Sequence, residues 1–219
     1  MADAVAGEVA AVIQRALEVR SEALLAFPGG STPREIFERL AATDLPWAKV
    51  TIIPGDDRLV PADNPLSNVA ELDRYFSRAG ATVVPLASND QDYRAAGKLA
   101  DIKLHQISWP PDLVWLGMGM DGHTASIFPG PDLDEALNAP ETQRAIGVLP
   151  DPLPPEAPVA RVSLTKSAIL AARSLLVTVR GQGKLEIIEQ AIAQGSSSEY
   201  PIGRVLADAQ RAVRIHACP

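Results

Sequence analysis

One histidine stands in a glycine-rich run, Gly117-Met118-Gly119-Met120-Asp121-Gly122-His123-Thr124-Ala125-Ser126-Ile127-Phe128-Pro129. An imidazole near its ordinary pKa accepts a proton from water at neutral pH, which is what ester hydrolysis asks of a general base. Asp121, two residues earlier, is placed to orient the ring or to sense a substrate, and Gly122 keeps the backbone between them open to a ligand. A glycine turn whose histidine is satisfied by backbone carbonyls has the same composition. His105 falls in a helical stretch and His216 in a strand, where structural roles are expected.

Three further segments carry candidate chemistry. Pro28-Gly29-Gly30-Ser31-Thr32-Pro33 follows a short apolar run. Thr32 suits a helix N-cap, Pro33 the first helical position, and Glu35 completes a capping-box spacing. Gly29 and Gly30 let the backbone approach a ligand, and free N–H groups of Ser31 and Thr32 at a helix start attract phosphate, although an ordinary strand-to-helix turn reads the same way. Pro54-Gly55-Asp56-Asp57-Arg58, followed by Ser67-Asn68, places two acids and an arginine at a strand end. Such a group can orient water, bind sugar hydroxyls or simply form a solvated turn. A metal site is disfavoured because no histidine lies close in sequence. Last come Arg161-Val162-Ser163-Leu164-Thr165 and Gly181-Gln182-Gly183-Lys184, where Lys184 on a first helical turn would sit beside backbone donors, again suited to phosphate.

The elements that must position these residues alternate. Strands are expected at Ala23 to Phe27, Val50 to Ile53, Val83 to Leu86, Leu113 to Leu116, Ser174 to Val179 and Val213 to His216. Helices are expected at Ala4 to Val19, Pro33 to Ala41, Asn68 to Arg78, Asp92 to Leu104, Lys184 to Ala193 and Ile202 to Ala209. This rhythm predicts an α/β fold with helices packed on a mostly parallel sheet, and ligands then collect beyond the carboxyl ends of the strands. Residues 129–160, dense in Pro, Asp and Glu, read as a long excursion with at most a short helix near Leu133 to Leu137, and residues 194–199 as a flexible link.

Composition narrows the partners. The 219 residues, 47% hydrophobic, suffice for one domain spanning the chain. A net charge of −7 argues against nucleic acid and anionic lipid, so an anionic small molecule would need a local cluster of cations. No stretch reaches the roughly 18 apolar residues of a membrane span. The single Cys218 and the absence of a basic leader suggest the cytoplasm, as a monomer or homodimer. The glycine pattern lacks the third glycine of a dinucleotide fingerprint, no G-x-S-x-G elbow is present, and no glycine loop ends in Gly-Lys-Ser/Thr, which leaves water as the simplest nucleophile.

Together these segments resemble the 6-phosphogluconolactonases. The resemblance rests on GGSTP at 29–33, DDRLVP with SN at 56–68, GMGMDGHTASIFPG at 117–130, RVSLT at 161–165 and GQGK at 181–184, in the family's order. It implies a three-layer α/β/α, Rossmann-like fold shared with glucosamine-6-phosphate deaminases and ribose-5-phosphate isomerases, no cofactor or metal, and a phosphosugar lactone as substrate. It further implies catalysis by His123 with Asp56, Arg58 and Asp121, and substrate or phosphate binding by Gly29, Gly30, Ser31, Thr32, Gly122, Arg161 and Lys184. Two departures stand out: the family usually has Asp-Glu-Arg where this chain has Asp56-Asp57-Arg58, and serine is common where Pro28 stands. Deaminases of this fold resemble one another in a glutamate five residues after the histidine, where this chain has Phe128. A sugar-phosphate sensor of the same fold would be expected to add a DNA-binding module, for which there is neither length nor basic charge.

Overall fold

The apolar runs at 23–27, 50–54, 113–116 and 175–180 are buried over nearly their whole length, which in a strand requires cover on both faces. A computed structural model, which describes residues 1–87 and 92–219, shows how that cover is arranged. Strands β1 (Ala23–Phe27), β2 (Val50–Pro54), β4 (Thr82–Val83), β5 (Leu113–Leu116), β8 (Leu175–Arg180) and β9 (Val213–Cys218) form a sheet in the order β4-β2-β1-β5-β8-β9. Every pairing in it is parallel. The expected three-layer α/β/α arrangement is therefore present.

Alternation along each strand divides the interior in two. Leu25, Phe27, Trp115 and Leu176 face α1 (Ala2–Arg20), α2 (Arg34–Ala41) and α3 (Asn68–Ala79). Ala26, Val114, Leu116 and Val177 face the other way, toward α4 (Tyr93–Leu104), α7 (Gln182–Gln194) and α8 (Pro201–Ala207). A cluster of Phe27, Phe37, Phe76 and Trp115, with ring centroids 5.3–5.6 Å apart, anchors the first side.

Four strands differ from expectation. The run expected as a strand from Val83 to Leu86 pairs only at Thr82 and Val83, with one more bond from the Val84 amide to the Ile52 carbonyl. Pro85 follows and has no N–H with which to continue the ladder. The segment at 129–160 holds the anticipated short helix, α5 (Leu133–Asn138), but also β6 (Ala145–Val148). Asp56–Arg58 and Arg161–Leu164, expected as loops, are β3 and β7. With β6 they make a second, antiparallel sheet in the order β3-β7-β6, whose apolar residues Val162, Leu164 and Ile146 join the core beside α4. The remaining helix, α6 (Lys166–Leu170), is capped by Thr165, whose hydroxyl accepts from the Ala168 amide.

Candidate active site

The loops after β1, β2, β5 and β8 converge on one cavity of about 330 Å³. Its walls include Gly29 to Pro33, Asp56, Arg58, Gly117 to Gly119, His123, Arg161 and Lys184. Trp115 and Thr178 also line it, and the Trp115 Nε1–H donates to the Thr178 hydroxyl at 2.9 Å. Residues ninety or more positions apart in the chain thus reach one crevice because every one of these strands points the same way.

His123 is held on three sides. Its Nδ1 lies 2.5 Å from Asp121 Oδ1, and since a carboxylate only accepts, Nδ1 carries the proton and Nε2 is left as the acceptor. The ring stacks on Phe128 with centroids 4.0 Å apart. Beneath it lies Gly119, where a Cβ would stand 2.2 Å from His123 Cε1. Burial alone would raise the Asp121 carboxyl, but the hydrogen bond and charge of His123 together with backbone N–H donors outweigh it and hold the group below its ordinary value. Asp121 therefore stays ionised at neutral pH.

The antiparallel pair β3–β7 supplies the cations. Its register sets Asp56 opposite Ser163, Asp57 opposite Val162 and Arg58 opposite Arg161. Because side chains alternate across a strand, Asp56, Arg58 and Arg161 share the cavity face while Asp57 points away. Two arginines directly opposite one another repel. Arg161 is almost wholly buried and donates through Nη2 to the Ala157 carbonyl at 3.2 Å. Arg58 donates through Nη1 to the Leu66 carbonyl at 2.8 Å and to Asn68 Oδ1 at 2.9 Å. Yet, among the described residues, the Nε of each is buried with no hydrogen-bond partner. Burial lowers the Arg161 pKa and Arg58 adds to that, while Asp56, Glu156 and Asp121 oppose it. Such a pair suits a bound anion, which would satisfy donors and repulsion together. Asp56 accepts from the Ser126 hydroxyl at 2.5 Å, and Asn68 Nδ2 donates to the Asp56 carbonyl at 2.7 Å.

The glycine loop borders this group. A side chain at Gly29 would meet Asn68 Oδ1 at 1.9 Å, so the loop passes here only as glycine. The expected capping box does not form: α2 begins at Arg34 behind Pro33 with no side-chain cap, and Glu35 instead receives Arg39 Nη2 at 2.7 Å. Thr32 is thereby left free to line the cavity. Lys184 sits in the first turn of α7, which starts at Gln182, two residues before the expected start. Burial lowers its pKa, and Asp121 works against that shift. Among the described residues it has no ion-pair partner.

Residues 1–214 match the family model described as glucosamine-6-phosphate isomerases/6-phosphogluconolactonase. This chain belongs to that family. A 6-phosphogluconolactonase of Rhizobium meliloti is 38% identical, with all of this chain and 94% of the relative aligned. One of Pseudomonas putida is 34% identical over all of this chain and 89% of the relative. Among solved structures, a 6-phosphogluconolactonase from Shewanella baltica superposes with a TM-score of 0.86 at 32% identity, covering 99% of this chain and 91% of that one.

The family resemblance placed a glutamate where this chain has Asp57, and the geometry explains what the shorter acid does. Asp57 Oδ1 accepts from the Arg58 and Asn68 amides at 2.8 and 2.7 Å, and Oδ2 from the Ser67 hydroxyl and the Val69 amide at 3.1 and 3.3 Å. It ties the start of α3 to β3 at a helix N-terminus, where negative charge is favoured. Burial raises its pKa; the amides of Asn68, Arg58 and Val69 oppose that, and Asp56 adds to it. Asp57→Ala strands four donors and should cost about 2–4 kcal/mol in urea unfolding. Because the folded chain holds this proton more tightly than the unfolded one, the stability it contributes falls as pH climbs through the raised pKa, so the penalty should be larger at pH 4 than at pH 7. A penalty under about 0.5 kcal/mol at both would contradict this anchoring role.

Two expected site residues lie off the cavity wall. Asp121 is half exposed, and its side chain reaches the cavity wall by a hydrogen bond to His123 and by its charge alone at Arg161 and Lys184. Gly122, with φ of +73°, packs on Tyr200, and its carbonyl accepts from the Ile202 amide at 3.0 Å. His105 and His216 are remote: the first meets the Thr142 carbonyl and the second Glu8, each at 2.9 Å. Thr178 and Glu156 line the cavity without having been singled out, and Asn68, quoted in a candidate segment but given no role, lines it as well. Asn68 had a signal in its place at a helix start behind two acids, but Thr178 lies inside a strand and Glu156 inside a proline-rich stretch, where no motif marks either. Among the described residues, no group of three His, Cys, Asp or Glu side chains is arranged to hold a metal ion, and no helix is long and apolar enough to cross a membrane.

Proposed function

We propose that this chain hydrolyses 6-phospho-D-glucono-1,5-lactone to 6-phospho-D-gluconate, with His123 as general base and water as nucleophile. Membership of the family and the full-length similarity to relatives named 6-phosphogluconolactonase support the reaction. The observation that carries the mechanism is that His123, with Nδ1 bound by Asp121, lines the same cavity as Gly29, Gly30, Ser31, Thr32, Arg161 and Lys184.

In this reading the phosphate rests on the glycine loop and Lys184, with Arg161 at its flank, and this anchoring fixes the ring. His123 Nε2 takes a proton as water attacks C1, and the oxyanion is met by Arg58 or by backbone N–H groups of a glycine turn. Collapse breaks the bond from C1 to the ring oxygen, which takes the proton back from the imidazolium and leaves as the C5 hydroxyl. Asp56 and Asp121 position the sugar, the water and the imidazole, and Gly122 shapes the turn that presents His123. The deaminase reading needs an acid where Phe128 lies flat on His123, and an apolar ring relays no proton.

The test is direct: freshly made lactone should open faster than its spontaneous rate, as followed by acid release, with no loss on adding a chelator. Release at the spontaneous rate would refute the assignment. Arg161→Gln should raise KM by about 10- to 100-fold, the scale of one charge-assisted contact removed, while kcat changes far less. An unchanged KM would take Arg161 out of substrate binding.

A further inference from the structure

The cavity contains one carboxylate that the mechanism above does not use. Glu156 lines the cavity together with Arg58, Arg161 and Lys184, its charge acting on Arg161, and it comes from the proline-rich stretch Pro154-Pro155-Glu156-Ala157-Pro158 rather than from a strand end. That stretch is built to hold a fixed shape. The Ala157 amide donates to the Pro154 carbonyl at 3.1 Å, closing a turn with Pro155 and Glu156 at its centre. Ala157 is fully buried, and its own carbonyl is gripped by Arg161. Glu156 is exposed, and among the described residues it has no hydrogen-bond or ion-pair partner within the chain. A rigid turn, tied to a substrate-side arginine, therefore presents a negative charge with no hydrogen-bonded partner among the described residues to a cavity whose cations attract an anion.

An acid in such a place weakens the binding of any anion, which is a cost for the substrate and a larger one for the product. The lactone carries charge only on its phosphate. Opening it adds water across the C1 ester bond and yields a carboxylic acid that ionises, so the product leaves with one more negative charge than the substrate brought. We propose that Glu156 is the product-discriminating residue of this site, repelling the newly formed carboxylate and so speeding release. The inference rests on the lactonase reading of the cavity and adds a function for the turn at 154–158. Asp56 carries a second negative charge on the wall, but the Ser126 hydroxyl and Asn68 already engage it. Glu156, among the described residues, has no such hydrogen bond and acts by charge alone.

Two ligands separate this effect from general electrostatics: 6-phosphogluconate, and glucitol 6-phosphate, which keeps the phosphate and lacks the carboxylate. Titration into the wild-type protein and into Glu156→Gln should show 6-phosphogluconate tightening about three- to tenfold more than glucitol 6-phosphate, the scale of one charge pair at a half-wet site. The gain should shrink at high salt, and Glu156→Asp should keep much of the wild-type discrimination. Equal tightening of both ligands, or none, would overturn the proposal while leaving the lactonase reading intact. Failure of the wild-type protein to accelerate lactone opening refutes that reading by itself, and failure of 6-phosphogluconate to bind Glu156→Gln any better than the wild type would overturn the proposal.

Discussion

His123→Ala should lower kcat on fresh 6-phosphogluconolactone by about 10²- to 10⁴-fold, the range for removing a positioned general base, while the affinity for 6-phosphogluconate stays near the wild-type value. The split follows from the site's layout. The imidazole is fixed by Asp121 at Nδ1 and by Phe128 stacked on its face, whereas Arg58, Arg161 and Lys184, the groups suited to holding an anion, come from β3, β7 and α7 and do not depend on the ring. Loss confined to turnover identifies an interaction made only in the transition state. Single-turnover acid release measures the chemical step, and inhibition by the product measures binding. A variant with full turnover would remove histidine from the mechanism.

Gly119→Ala should come close to this without removing any chemical group. A Cβ at position 119 would lie 2.2 Å from His123 Cε1, 2.3 Å from Nδ1 and 2.6 Å from Asp121 Oδ1. The turn cannot yield easily, because the Gly119 amide donates to the His123 carbonyl at 3.0 Å and the Gly119 carbonyl accepts from the Gly122 amide at 3.2 Å. The ring must swing out and lose Asp121. A displacement of about 1 Å at a reacting group costs on the order of 10²-fold, so kcat should fall by about that much with product binding nearly unchanged. Wild-type kcat in Gly119→Ala would mean that the working ring is not seated on Gly119.

Gly119 also shows how the site's legibility divides. The run Gly117 to Gly122 reads as exposed backbone, and that reading led to the right loop, but the position of Gly119 under the imidazole depends on where the chain turns back at His123. Arg161 is similar. Its segment alternates Arg161, Val162, Ser163 and Leu164, a two-residue period compatible with a strand, yet it follows a proline-rich stretch and reads as a loop. Asp56-Asp57-Arg58 is too short and too charged to read as a strand at all. Each becomes one by pairing with the other, about a hundred residues away in the chain, and no local pattern records a partner at that separation.

The alternation of helices with the strands of the main sheet, its parallel sense and the four loops at its carboxyl edge were determined by the sequence alone, because hydrophobic period and turn residues act over a few positions and leave their mark there. Which side of each loop faces the cavity was decided only by the tertiary structure. The register of β3 against β7 sends Asp56, Arg58 and Arg161 to the cavity and Asp57 to the start of α3. A strand slipped by one residue would exchange those faces, and what prevents the slip is the packing of Val162 and Leu164 into the core against residues brought there from the rest of the chain.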